Sequence, residues 1–523
     1  MNIIKIKFFF EIILLLIILI SLYLGLTYAK FHTDPWHWGT TASTALDYIN
    51  GYKMFKEIDI QYGPGMPILF SFINTFYKID YYSIGVITNF IYSLNLIFVY
   101  LVIKNLTNKL TAITITLFVF SLTHYPQIPW ADFYAGFCIT LSIFFLTINN
   151  KKKVPIIIAS FFLTLAIIFR NTYLINILIS ILIYLFFIKL KNISISSHIK
   201  TYFYFFFTFT LMYFFFLFIN SDLRSWYIQG IGKTNLLFNT TYKGSDIAYI
   251  YAVLKLIYHL FIPKKIVDIY FSIIFVLNLF FLLLIFFKRK DLELKNLENK
   301  NIILYSILGF SGLIQSLNEY EVFRNSMACI SIFFVVGYFL EKINNKKTFI
   351  ALHIILLILI FSIFPKSNYY QVNIYPTLGY VDLNNQFVSD KKLFYKTNIK
   401  FFGEHRFNQE TIKYYYDVRS LICKYDKIIN YSIDRTLIYI CDKKNNIIST
   451  VNWHPIFFNN PQLDQKYKKQ PIENNEIVIA DSRFFNPNLK LIKKINIPKY
   501  TRFTKADVFR QHFDDQLFFY TKK

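Results

Sequence analysis

The sequence predicts a polytopic α-helical membrane protein with about eleven transmembrane helices, a first external loop carrying juxtamembrane helices, and a C-terminal extracytoplasmic α/β domain. Three observations lead there. Of 523 residues, 55% are hydrophobic and 20% aromatic, with a mean hydropathy of +0.40, and the apolar residues stand in runs that approach the roughly 20 a spanning helix needs. Lys-rich turns separate alternate runs, as the positive-inside rule requires. Beyond residue 365 the chain turns polar and Asn-rich. These shifts divide it into a membrane domain, 1–365, with its first external loop at 30–82, and a tail domain, 366–523.

The first apolar run, residues 8–29, follows Lys5 and Lys7. Its core is too long for a signal peptide and no small-residue cleavage site is evident, which predicts an uncleaved helix with a cytoplasmic N-terminus. Further spans centre near Tyr92, Phe118, Thr140, Phe162, Ile179, Thr210, Leu277, Leu308, Phe333 and Leu357. The turns at 104–109, 151–153, 189–200, 288–300 and 341–347 are Lys-rich and read as cytoplasmic, which puts 34–82, 124–132, 170–171, 220–265 and 318–324 outside. An odd number of spans then places the tail outside as well. Residues 247–262 would invert the Lys288-Arg289-Lys290 turn if they crossed, so an interfacial helix is expected there. Residues 62–78, opened by Gly63-Pro64, fit the same description. Thr41 to Phe55 suits an amphipathic helix on which Asp47 faces solvent. In the tail, 409–424 reads as an amphipathic helix and 427–433, 436–441 and 477–480 as strands. Cys423 and Cys441 are the tail's cysteines, and a bond between them is possible, although two cysteines alone do not define connectivity.

The formal charge of +25 comes without a helix-turn-helix or zinc-ligand pattern, which argues against nucleic acid as the partner. No Gly-x-x-x-x-Gly-Lys-Ser/Thr loop is present, which argues against nucleotide-driven transport. Chemistry-bearing residues instead gather in the expected external segments. Asp34 lies in His32-Thr33-Asp34-Pro35-Trp36-His37-Trp38-Gly39 directly beyond the first helix. Pro35 disfavours helical continuation there and holds the carboxylate on an extended turn, where it could serve as a base. Trp36 and Trp38 could stack on a sugar face and His37 could hold an acceptor or phosphate, although aromatic residues crowd any membrane interface. Glu57 and Asp59 precede Gln61-Tyr62-Gly63-Pro64 as a weaker acidic pair. Arg170, at the outer end of an apolar run, is costly unless functional, and its fork suits phosphate; snorkelling to headgroups is the plainer alternative. The turn from Gln315 to Asn325 gathers Glu319, Glu321 and Arg324, which could hold phosphate, orient a sugar or satisfy one another. His124, Trp130 and Asp132 form a third and weaker cluster.

On these residues the chain resembles the C-type glycosyltransferase superfold, a group of multispanning transferases that use lipid-phosphate sugars. The first-loop segment 32–39 looks like that family's acidic motif, with Asp34 in the base position. Asn50-Gly51 and Gln61-Tyr62-Gly63-Pro64 look like a pattern of its bacterial members. The resemblance implies sugar transfer from a polyprenyl-phosphate donor to a cell-envelope glycan, lipid or protein acceptor at the external face of a bacterial plasma membrane. It implies an inverting reaction with Asp34 as base and Arg170 and Arg324 neutralising the departing phosphate. Trp36, His37, Trp38, Tyr62, Glu319 and Glu321 complete the implied binding set. The family often pairs its acidic residues, whereas Pro35 follows Asp34 here, so a divalent cation is an open question. Three other readings compete: a glycan polymerase or ligase using a diphosphate-linked oligosaccharide, a transporter or flippase of lipid-linked glycan, and a non-catalytic scaffold in which Asp34 would be dispensable.

Overall fold

The computed structural model describes most of residues 3–366 and 394–441, together with 380–381, 387–388, 473–480, 488–498 and 516–523; the larger segments outside this description are 32–36, 124–128, 230–247, 288–296, 318–321, 367–379, 382–386, 389–393, 442–472, 481–487 and 499–515. The membrane domain is helical. In order it runs α1 (Ile3–Phe31), α2 (His37–Ile49), α3 (Gly65–Asn74), α4 (Tyr81–Leu106), α5 (Lys109–Thr123), α6 (Ala131–Ile148), α7 (Lys153–Phe169), α8 (Tyr173–Leu190) and α9 (Ser197–Asn220). There follow a short α10 (Leu223–Trp226), α11 (Ala248–Phe261), α12 (Ile266–Phe287), α13 (Leu297–Ser311), a 3-10 turn (Gly312–Ser316), α14 (Val322–Ala328), α15 (Ser331–Glu341) and α16 (Lys346–Lys366).

Each predicted span centre falls inside one of these helices. Among the described residues, five helices are long and apolar enough to cross a bilayer unaided, namely Phe9–Phe31, α4, α6, α8 and α9, and the other apolar helices are shorter. Their outward faces carry Leu182, Phe186, Leu211, Phe215 and Phe218, all exposed, as expected of surface that meets lipid. Inside the bundle, hydroxyl and amide groups join neighbouring helices: Ser21 to Ser93 at 2.8 Å, Ser142 to Tyr202 at 2.8 Å, Ser180 to Ser311 at 2.6 Å and Ser306 to Asn278 at 2.7 Å. Such bonds contribute on the order of 1 kcal/mol each where no water competes. Asp80 opens α4 with a capping box, its carboxylate accepting from the Ser83 amide at 2.7 Å while the Ser83 hydroxyl accepts from the Asp80 amide at 2.8 Å.

The tail begins with a two-stranded pair, β1 (Tyr380–Val381) with β2 (Phe387–Val388), and a second, β3 (Phe394–Lys396) with β4 (Arg406–Asn408). Helix α17 (Gln409–Ile422), capped by Asn408, then packs on a four-stranded sheet of β5 (Lys427–Asn430), β6 (Glu476–Ala480), β7 (Leu489–Asn496) and β8 (Gln516–Lys522). The sheet order is β5-β6-β8-β7, with β5 and β6 parallel and the other pairs antiparallel. Cys423 and Cys441 form a disulfide.

Two expectations change. The segment at 436–441 is no strand: Arg435–Ile438 is a 3-10 turn, because the Asp434 side chain takes the Thr436 amide at 3.0 Å and the Thr436 hydroxyl and so offers the backbone a turn in place of a ladder. Asp47 does not face solvent. It is fully buried, because the tail lies against that side of α2.

Candidate functional site

The site is built where α6 begins, α7 ends and the first loop returns to the bundle. Tyr62-Gly63-Pro64-Gly65 lies on the last turn of α7 so closely that a Cβ at Gly63 would collide with the carbonyl oxygens of Ile168 and Phe169. The Asn171 amide donates to the Tyr62 carbonyl at 3.0 Å. This contact lays the Tyr62 ring 5.0 Å from the Arg170 guanidinium, within cation–π range.

Gly136 performs the equivalent task one helix over. It faces Met327 of α14, where a Cβ would press on the Met327 carbonyl oxygen. Asp132 stands one turn before Gly136 on α6, and Arg324 one turn before Met327 on α14, so the close approach of the two helices brings their side chains together. Asp132 Oδ2 accepts from Arg170 Nη1 at 2.6 Å and from Arg324 Nε at 3.0 Å. The Arg170 Nε donates to Gln315 Oε1 at 2.7 Å, and Thr172 donates to the same oxygen at 2.6 Å. Trp130 lies 5.3 Å beneath the Arg324 guanidinium. Arg170 and Arg324 are only 7% and 8% exposed. Asp132 occupies the first turn of α6, where the helix dipole favours an anion.

Around this triad lie buried polar atoms with no hydrogen-bond partner among the described residues: Asp132 Oδ1, the Tyr173 hydroxyl, Gln315 Nε2 and both amide atoms of Asn325. Buried polar groups are normally satisfied, so this concentration marks capacity for a polar ligand. The arrangement supplies two guanidinium groups, of which Arg170 carries more N–H donors than its bonds to Asp132, Gln315 and Thr172 use, and it suits an oxyanion with several acceptor oxygens.

The residues singled out in the sequence separate into three groups. Tyr62, Arg170 and Arg324 come together at the triad. Trp38 does not join them: it is fully buried, with the edges or faces of Tyr28, Tyr81 and His405 at ring-centroid distances of 6.3, 4.9 and 5.9 Å, so it is packed as core and not as a sugar-stacking surface. Asp34, Trp36, Glu57, Asp59, His124, Glu319 and Glu321 lie outside the described residues; His37 opens α2, and its side chain is not described. Asp132, Gln315 and Thr172 gain weight in the structure. In the sequence Asp132 stood out only through the weaker cluster it forms with His124 and Trp130. Among the described residues no group of three or more His, Cys, Asp or Glu could hold a metal ion, and Asp132 is already engaged by two guanidinium groups.

No protein-family model matches the chain, and no curated protein matches it. Among solved structures it is similar to the oligosaccharyltransferase of Archaeoglobus fulgidus tethered with an acceptor peptide containing the NVT sequon, with a TM-score of 0.53 and 11% identity over 91% of this chain and 69% of that one. It is also similar to the Archaeoglobus fulgidus oligosaccharyltransferase in complex with Zn and sulfate, with a TM-score of 0.50 and 13% identity over 90% and 68% of the two chains. The likeness covers most of the chain, which therefore shares the overall fold of that structure.

Proposed function

We propose that this protein is a membrane glycosyltransferase that moves a sugar from a polyprenyl-phosphate carrier to a cell-envelope glycan, lipid or protein acceptor at the external face of the plasma membrane. The observation that carries the reading is the buried Arg170–Asp132–Arg324 triad, set in this fold beside the returning first loop. A departing phosphate gains charge as the sugar leaves, and preorganised guanidinium groups in a water-poor site stabilise that charge more than they stabilise the donor. The orphaned Tyr173 hydroxyl and Gln315 amide add neutral donors for the same oxygens.

In this reading Asp34 deprotonates the acceptor hydroxyl, which attacks the anomeric carbon from the face opposite the phosphate, and the configuration inverts. A base in that role must reach within about 2.6–3.2 Å of the hydroxyl. Trp36, His37, Glu319 and Glu321 are proposed to border the acceptor and donor. The Cys423–Cys441 disulfide supports an extracytoplasmic tail, since such bonds persist in oxidising compartments. A second reading, transfer of a whole lipid-linked oligosaccharide, is favoured by the neighbours' being oligosaccharyltransferases, one with an acceptor peptide in place.

The test is envelope-glycan composition by mass spectrometry in cells lacking the gene, complemented with wild type or Asp34→Asn at equal membrane abundance. Wild type alone should restore a missing residue, and its mass separates a single sugar from an oligosaccharide. Full restoration by Asp34→Asn would remove Asp34 from the mechanism.

A further inference from the structure

Helix α2 begins three residues after Asp34, and one stripe of it is read by a single short segment of the tail. Gly39, Ser43 and Asp47 are spaced four apart and so share a face. At the first position, a Cβ on Gly39 would stand 3.0 Å from Thr436 Cγ2 and 3.4 Å from Arg435 Cβ. At the second and third, the Tyr439 hydroxyl lies 3.2 Å from the Ser43 carbonyl and donates to Asp47 Oδ1 at 2.8 Å. Five consecutive tail residues thus follow two turns of α2.

The segment is itself fixed from three sides. Asp434 caps it through Thr436. Phe401 stacks on the Tyr439 ring at 5.4 Å. Cys441, two residues beyond Tyr439, is bonded to Cys423 at the end of α17. Further contacts bind the same tail surface to the ends of α1 and α4: His405 Nδ1 donates to the Ala29 carbonyl at 2.8 Å, and Tyr81 lies between Phe402 and His405. An apolar pair would have served adhesion at lower desolvation cost than a buried carboxylate. A directional bond does something an apolar pair cannot, which is to fix the rotation and height of α2.

We propose that Tyr439 and Asp47 are positioning residues: the tail holds α2 in register through their hydrogen bond and thereby sets the placement of the start of α2, three residues beyond Asp34 in the sequence. The catalytic half of this proposal rests on the transferase reading above; the docking half does not. The experiment compares full-length wild type, Tyr439→Phe, Asp47→Asn and Asp47→Leu. It measures amide hydrogen exchange over residues 37–49 and steady-state sugar transfer with the lipid-linked donor found for wild type.

Tyr439→Phe and Asp47→Leu should each speed exchange in α2 and lower kcat about tenfold, as expected for slight misplacement of a reacting group, with donor KM within about twofold. Asp47→Asn retains the acceptor oxygen and should stay within about threefold of wild type in both measures. The double variant Tyr439→Phe/Asp47→Leu replaces both partners with apolar groups, so its thermal stability should return to near wild type while kcat stays low. Unchanged exchange in Tyr439→Phe would overturn the proposal, and so would faster exchange with wild-type kcat. An inactive wild type would count against the transferase reading, while the exchange comparison would still decide the docking contact.

Discussion

Asp132 is the acceptor that two buried cations share, and its replacement by Asn tests the site most directly. In the native arrangement its Oδ2 takes Arg170 at 2.6 Å and Arg324 at 3.0 Å. Charges about 4 Å apart attract by ~4 kcal/mol at an effective dielectric near 20, and this attraction is opposed by a desolvation penalty of several kcal/mol per ion. Removing the shared partner leaves that penalty uncompensated, and a loss of about 3–5 kcal/mol is expected. Arg170→Gln is milder: Asp132 keeps its bond to Arg324, and the expected loss is about 1–3 kcal/mol. The assay is equilibrium unfolding of the purified full-length protein in mild detergent, with glycan restoration in cells measured alongside. Both variants should lose transfer, but only Asp132→Asn should lose most of its stability. Equal stabilities, or a more severe loss in Arg170→Gln, would refute the view that Asp132 is the common counter-ion.

Three further outcomes are expected. Burial pushes the Asp434 carboxyl up from an ordinary 3.8 to about 7, so the native tail favours the neutral form; the stability this contributes is complete below about pH 4 and disappears as pH rises through 7, a decline of up to ~4 kcal/mol. Asp434→Asn should flatten that decline in tail unfolding midpoints taken from pH 4 to 8, and an unaltered slope would contradict it. Replacing Cys423 and Cys441 by Ser removes a bond across 18 residues and should cost about 3 kcal/mol, visible as a lower denaturation midpoint in oxidising buffer that converges with wild type after reduction. Trp38→Ala should cost about 3–5 kcal/mol by cavity formation, whereas Trp38→Phe should leave donor and acceptor KM nearly unchanged; a large KM effect in Trp38→Phe would return that ring to the substrate.

The helices were legible because lipid demands long apolar runs, and their turns because lysines collect on one side. Arg170 was singled out because an arginine at the end of an apolar run is costly, and Arg324 because polar groups crowd the turn from Gln315 to Asn325. Asp132 was underrated because His124-Tyr125-Pro126 and Trp130 read as an ordinary aromatic belt, and because its partners lie 38 and 192 residues away. The packing that unites them depends on Gly136 meeting Met327, a tertiary fact with no local mark. Trp38 illustrates the opposite error. A Trp just outside a span looks the same whether it faces sugar or core, and only Tyr81 and His405, brought from far along the chain, distinguish the two. At 436–441 the apolar alternation suggested a strand, but the Asp434 carboxylate captures the Thr436 amide first. Strand β7 passed unread because lysines interrupt its apolar pattern.

The bond from His405 to Ala29 spans 376 residues, and that interval is also a duration. At about 5–20 residues per second, the ribosome needs roughly 20–75 s to supply the partner of a carbonyl already at the membrane surface. For that time Trp38 and Tyr81 wait without Phe402 and His405, the tail residues whose rings pack against them. Packing of α2 against the tail is therefore a late event in biogenesis, dependent on synthesis of the tail. A chain stalled before Phe402 should insert its helices, leave α2 without its tail contacts, and present those aromatics to whatever surveys unfinished proteins.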